Sequence, residues 1–281
     1  MTGKKRSFLR FPGFKRKAVT LSYDDAVRYD EKLLEIITPY GLKCTFNINS
    51  GFYGEDDTYL RLTKEKAYKL FTSYDCEIAS HGARHLSLTE VDKVIALKDI
   101  IEDRRELEKT YKKLVQGFVF ANGFISEEMF EYVRSCGFKY ARTTLSSYNF
   151  DIPTDWIRLS PTCRHRDPKL MELVDDFLTD KVDRHYWWQS PKLFYLWGHS
   201  YEYNDDNNWE VIENFAKKVG NRDDVWYATN IEVVDYVTAF DNLVFSVSGE
   251  RVYNPSDIDV YICYFGKDYL IKKGQTVEFD K

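Results

Sequence analysis

Ala18-Val19-Thr20-Leu21-Ser22-Tyr23-Asp24-Asp25 is an alternating apolar run that ends on two carboxylates. Its two-residue period predicts a strand over 17–23. Seven further runs read the same way, over 43–49, 75–80, 116–120, 140–144, 156–160, 192–197 and 225–229. Each is short, rich in β-branched and aromatic residues, and bounded by Gly, Asp, Asn or Ser. Helical segments lie between them. Asp30 is the expected cap of a helix over 31–38, with Leu33, Leu34 and Ile37 on one face and Pro39 and Gly41 beyond its end. The longest expected helix, 86–114, carries Val91, Val94, Ile95, Ile101, Leu107 and Leu114 near helical period. Ser126, followed by Glu127 and Glu128, starts another that stops at Gly137, and 168–178 and 209–219 follow.

Strands alternating with helices predict an α/β fold, a parallel (β/α) barrel over 1–240. After residue 241 the texture changes to short strands over 243–247, 251–253, 259–265, 269–271 and 276–279, a small C-terminal β appendage over 241–281. Barrel active sites gather at the C-terminal ends of the strands. Asp24, Asp25, His81, His85, Asn122, Arg142 and His199 all fall at or just past such ends.

The chemistry of those positions is specific. A carboxylate pair with the His-x-x-x-His of Ser80-His81-Gly82-Ala83-Arg84-His85 supplies three metal ligands and one spare base, the kit for metal-assisted hydrolysis. Leu196-Trp197-Gly198-His199 ends on a further histidine, a ready general acid. The bland alternatives are aspartates that cap a turn and histidines on a helix surface. Gly82 excludes the zinc-protease pattern His-Glu-x-x-His.

Ser22-Tyr23-Asp24-Asp25, the His81–His85 motif and Leu196-Trp197-Gly198-His199 resemble, in order and spacing, three signature motifs of the polysaccharide deacetylase family (carbohydrate esterase family 4), over roughly residues 17–240. The resemblance implies an irregular barrel, often of seven strands. It implies Asp24 as general base, Asp25, His81 and His85 as ligands of a divalent metal, and His199 as the acid that protonates the leaving group. The chain departs from the family twice. Where the third motif usually holds an arginine that pairs with the base, Phe120-Ala121-Asn122-Gly123 has none, so Arg142 is the expected replacement, with Arg84 the weaker candidate. The Asp-Trp element that orients the late histidine is matched loosely by Asp155-Trp156.

The remaining candidates are contacts to substrate. Asn122 and Gly123 offer backbone N–H groups to an oxyanion or simply form a tight turn. Trp197 and Tyr201 flank His199 and are candidate sugar-stacking rings, with core packing as the plain alternative. His165, just after a strand, is a candidate cleft residue, whereas His185 precedes Tyr186-Trp187-Trp188 and reads as packing. Glu202, Asp205 and Asp206 read as a solvated loop.

Composition bounds the function. The chain of 281 residues has a net charge of −5 and no basic stripe interleaved with aromatics, so nucleic acid is not an expected partner. Five cysteines, an odd number with no Cys-x-x-Cys, read as reduced thiols. No apolar signal region and no transmembrane run is present, so no membrane association is expected and the sequence reads as cytoplasmic. The resulting expectation is removal of acetyl groups from N-acetylated sugars or oligosaccharides. Zinc is favoured by two imidazoles and a carboxylate, with cobalt and manganese sharing the donor type. The rivals are an O-deacetylase, a hydrolase of a non-sugar amide, and a non-catalytic glycan-binding protein.

Overall fold

The computed structural model describes residues 6–56, 58–179 and 190–280. Its centre is the run that opened the sequence: β1 (Lys17–Asp24) is buried at every position. Around it stand β2 (Cys44–Ile48), β3 (Glu77–Ser80), β4 (Gly117–Val119), β5 (Tyr140–Arg142), β6 (Cys163–Arg164), β7 (Lys192–Gly198) and β8 (Val225–Tyr227). Seven of them follow the order β5-β4-β3-β2-β1-β7-β6, and all their pairings are parallel. The eighth, β8, lies off this path. It pairs with Lys17–Val19 at the start of β1, and β2 takes over the same edge from Leu21 to Asp24. The curled wall is therefore seven-stranded at the level of Asp24.

The expected strand over 156–160 is the main error of element type. Trp156–Arg158 is a 3-10 turn, because the Asp155 carboxylate accepts from the Ile157 backbone N–H at 3.0 Å and competes with the ladder. Only Leu159 bridges, donating to Ala141 O at 3.0 Å and accepting from Thr143 N at 2.9 Å, and this joins β5 to the segment leading into β6. Pro161 then has no N–H to continue the ladder.

Helices α1 (Asp30–Ile37), α2 (Lys64–Ser73), α3 (Lys93–Tyr111), α4 (Glu127–Ser135), α5 (Leu170–Leu178), α6 (Tyr201–Asp205), α7 (Glu210–Val219) and α8 (Asn230–Asp241) pack around this wall. Ser126 caps α4 as expected, accepting from Met129 N. Asp30 does not cap α1. It is the first helical residue and fully buried, accepting from Val27 N at 2.8 Å and from the Ser200 hydroxyl at 2.5 Å. The long helix starts later than expected and turns another face inward. Val94, Ile95, Ile101 and, just beyond its end, Leu114 are exposed, while Ala96, Asp99, Ile100, Asp103, Leu107 and Tyr111 are buried. Two carboxylates sit where apolar period alone would place leucines.

The C-terminal segment forms two three-stranded antiparallel sheets. Arg251–Tyr253 pairs with Val244–Phe245 and Thr276–Glu278, and Val260–Tyr264 pairs with Lys267–Ile271. The third strand of the latter sheet is Leu9–Arg10, which the sequence pattern did not reveal. Leu9, Phe11, Val252, Ile262 and Ile271 share one apolar cluster with Val233, Tyr236, Val237 and Phe240 of α8, so these strands pack against the helix that closes the barrel floor. There, Glu77 accepts from Thr45 Oγ1 at 2.7 Å, Tyr140 OH at 2.7 Å and Ile231 N at 2.8 Å, tying α8 to the strands. No described helix is long and apolar enough to cross a membrane.

Candidate metal centre

Asp24 ends β1 and Asp25 begins the turn after it. Asp25 (φ 86°) and Ala26 (φ 52°) both occupy the left-handed region, a strained conformation typical of functional turns. His81 follows β3 directly, and His85 sits four residues on with φ 52°. His199 follows β7. All five side chains line one cleft of about 560 Å³ at the C-terminal mouth of the barrel, with Phe120, Asn122, Thr144, Ser146, Arg164, Trp197 and Tyr201. That volume suits a small-molecule ligand.

One donor atom each from Asp25, His81 and His85 lies within 4.8 Å of the others. Asp25 Oδ1 is 4.0 Å from His81 Nε2 and 3.9 Å from His85 Nε2, too far for hydrogen bonds and close enough to share one ion. His81 Nδ1 lies 2.9 Å from Val119 O, so it carries the proton and Nε2 keeps its lone pair toward the cleft. Burial pushes the His81 imidazole down to about 4, against the raising influence of Asp24 and Asp25, so it is neutral at pH 7 and fit to ligate. This donor set fits a divalent cation.

Asp24 stands beside these donors, its Oδ2 3.9 Å from His81 Nε2. The Arg142 Nη2 donates to both of its oxygens, at 2.8 and 2.6 Å, and Asn47 Nδ2 donates at 2.7 Å. Burial pushes the Asp24 carboxyl up, but Arg142, His81 and His199 outweigh it and hold the group down to about 2. Arg142 is fully buried with its guanidinium 4.2 Å over the Trp197 ring, and among the described residues its Nε and Nη1 have no hydrogen-bond partner. Arg84 is engaged elsewhere, on Asp99. His199 Nε2 is 3.8 Å from Asp24 Oδ2 and 3.9 Å from Asp25 Oδ2.

The substrate candidates divide. Asn122 (φ 60°), Trp197 and Tyr201 line the cleft. The Asn122 side chain donates to Ser87 Oγ at 3.0 Å, bracing the His85 loop. Trp197 is only 5% exposed and serves chiefly as the platform beneath Arg142. His165 does not reach the cleft. It is buried, stacked on Tyr203 at 4.1 Å and Tyr23 at 5.8 Å, with Nε2 3.2 Å from Glu202 Oε2, so the expected substrate contact is corrected to a packing role. His185 lies outside the described residues.

Three groups went unread. Arg61 donates to Asp25 Oδ1 at 2.8 Å and, through Nη1, to Asp25 O and Asn49 Oδ1 at 2.9 Å each. It comes from a loop with no periodic signal. Asn47 and Asn49 were visible as two amides at a two-residue spacing at the end of an apolar strand. Glu202, expected in a solvated loop, is buried beside Arg164, with Arg166 donating at 3.1 Å and His199 Nδ1 at 3.5 Å. Burial pushes its carboxyl up, but His165, His199 and Arg164 outweigh it and hold it below the usual carboxylate range. It occupies the place beside His199 that the loosely matched Asp155 was expected to fill. Asp155 instead pairs with Arg134 and Arg158.

The family model for polysaccharide deacetylase matches residues 11–141. A candidate polysaccharide deacetylase of Mycobacterium smegmatis superposes with a TM-score of 0.59 at 17% identity, covering 83% of this chain and 94% of that one. The Xyl-CE4 domain of a multidomain xylanase from the hindgut metagenome of Trinervitermes trinervoides gives 0.52 at 14% identity, covering 80% and 92%. At these identities the likeness is one of fold. No curated protein sequence matches.

Proposed function

We propose that this chain, whose residues 11–141 match the family model for polysaccharide deacetylase, is a metal-dependent hydrolase that removes acetyl groups from N-acetylated sugars or oligosaccharides. The observation that carries this reading is the meeting, in one cleft, of the Asp25, His81 and His85 donors with an Arg142-paired Asp24 and with His199.

Asp25, His81 and His85 would hold the metal, zinc by donor type, with cobalt and manganese as alternatives. When bound, such an ion polarises a carbonyl and makes water a nucleophile at neutral pH. Asp24 is ionised and aimed into the cleft, so it accepts the proton of the attacking water. Arg142 and Asn47 fix which way its oxygens face. His199 stands on the other side of the Asp24–Asp25 pair and gives its proton to the departing amine. Glu202 and Arg164 hold the far side of its ring. The backbone turn at Asn122 and Gly123, both at positive φ, supports an N–H contact to the developing oxyanion. Each proton-transfer group contributes about 10²–10⁴-fold.

A glycan-binding protein without activity is the reading that an unpaired Asp24 would favour; the pairing of Asp24 with Arg142, from the next strand, supports the hydrolase instead. The test is acetate release by zinc-loaded protein from a panel of N- and O-acetylated saccharides. Release from N-acetylated substrates, abolished by chelation, supports the proposal. Release from O-acetylated substrates alone supports the esterase, and none from any sugar overturns the reading.

A further inference from the structure

Two carboxylates on α3 take no part in the chemistry above, and neither lines the cleft. Asp99 and Asp103 are both fully buried, one helical turn apart, on the face that also buries Ala96 and Leu107. Buried charges persist where they are paired or fully hydrogen-bonded. Both reach the loop that carries His81 and His85, and Asp103 also holds the turn after β2.

Asp103 accepts two hydrogen bonds at the ligand loop, from Ser80 Oγ at 2.5 Å and from the backbone N of His81 itself at 3.1 Å, and a third from Ser50 N, after β2, at 2.7 Å. Asp99 Oδ1 accepts from Arg84 N at 3.1 Å and Arg84 Nε at 2.9 Å, the residue immediately before His85. Its other oxygen has no hydrogen-bond partner among the described residues and lies against Gly82, where an added Cβ would be 2.7 Å from it. Gly82 takes φ 75° without strain, but the loop holds His85 at φ 52°, a costly conformation for a residue other than glycine. Such residues stay put only when their surroundings over-determine them. The two histidines also differ. The His81 ring is locked through Val119 O, whereas among the described residues no hydrogen bond holds the His85 ring, so its position depends on its backbone.

We propose that Asp99 and Asp103 are positioning residues for the metal ligands, Asp103 placing His81 and Asp99 placing His85, and that they set the affinity of the site for its ion. This rests on the metal-site reading above and adds to it the α3 face as the support for the ligand loop.

The test is zinc affinity, measured by calorimetry on the full chain stripped with chelator, and it needs no substrate. Asp103→Asn, Asp99→Asn and Ser80→Ala are compared with wild type and with Leu107→Ala, a cavity substitution on the same helix face. The aspartate variants are expected to bind zinc about 10–100-fold more weakly, the usual effect of removing a ligand's outer partner. Ser80→Ala is expected to show a smaller loss. Leu107→Ala is expected to melt at a lower temperature and keep wild-type affinity. Folded aspartate variants with wild-type affinity overturn the proposal, and so does an equal loss in Leu107→Ala, which would make α3 packing the cause. Should an aspartate variant fail to fold, Ser80→Ala decides: unchanged affinity overturns the proposal. A wild-type chain that takes up no zinc overturns the metal site itself, an outcome separate from wild-type binding with unaffected variants.

Discussion

One nitrogen of Arg142, on the fifth strand of the barrel, bonds both oxygens of Asp24, on the first, at 2.8 and 2.6 Å, and both side chains are buried. The pair closes the wall of the cleft across 118 positions of sequence. It also decides how the proposed base behaves.

Removing the cation leaves a buried carboxylate uncompensated. Arg142→Gln is expected to cost about 3–5 kcal/mol in denaturant melts at neutral pH. The sign with pH follows from Asp24. Its folded value of about 2 lies below the ordinary aspartate value of 3.8, so its contribution is present above 3.8 and is lost as pH falls toward 2. The gap between wild type and variant is therefore expected to narrow from pH 4 to pH 2. A gap that stays constant over this range would separate the arginine's worth from the charge of Asp24.

Glu77 at the barrel floor behaves oppositely. Burial pushes its carboxyl up to about 7 from the ordinary glutamate value of 4.5, against the hydrogen bonds of Ile231, Tyr140 and Thr45. The folded chain then holds a proton that the unfolded chain has released, so its contribution is full below pH 4.5 and is lost as pH rises through 7. The slope in that window is at most about 1.4 kcal/mol per pH unit. Glu77→Gln is expected to flatten the stability profile between pH 4.5 and 7. An unchanged slope, read by urea melts at several pH values, contradicts this.

Gly198 has no room for a side chain. A Cβ there would lie 1.9 Å from His165 Nδ1, so Gly198→Ala must push His165 off its stack with Tyr203 and away from Glu202. A loss of about 1–3 kcal/mol is expected in thermal melts, the usual cost of overpacking. Wild-type melting would mean that His165 yields freely.

Metal removal provides a test independent of turnover. Zinc at 100 times its dissociation constant is expected to stabilise the chain by about 2.7 kcal/mol, visible as a rise in melting temperature that chelator reverses. His81→Ala and Asp25→Ala are expected to lose that rise. If they keep it, the ion sits elsewhere.

Seven of the eight expected strands and the placing of the five cleft residues at strand ends were legible from short apolar runs, whereas Cys163–Arg164 was not expected and 156–160 is not a strand. The third-motif departure was legible too, since Arg142 is the next arginine to end an apolar strand. Other features were hidden for physical reasons. The Asp155 side chain turned a strand-like run into a 3-10 turn. The apolar stripe of the long helix pointed at Val94 and Ile101, whereas the buried face contains two acids whose partners lie in a distant loop. Arg61 and Glu202 come from a loop and a one-turn helix with no period to read. Leu9–Arg10 is too short to show alternation, and it becomes a strand only because the C-terminal sheet offers an edge.

The central claim is that Asp24 accepts the proton of the attacking water while Asp25, His81 and His85 hold the ion. The most direct measurement is acetate release from an N-acetylated oligosaccharide by wild type and Asp24→Asn, each with zinc content determined by elemental analysis. The account predicts equal zinc and a fall in rate of about 10²–10⁴-fold in the variant. A variant that carries zinc and turns over near the wild-type rate would contradict it.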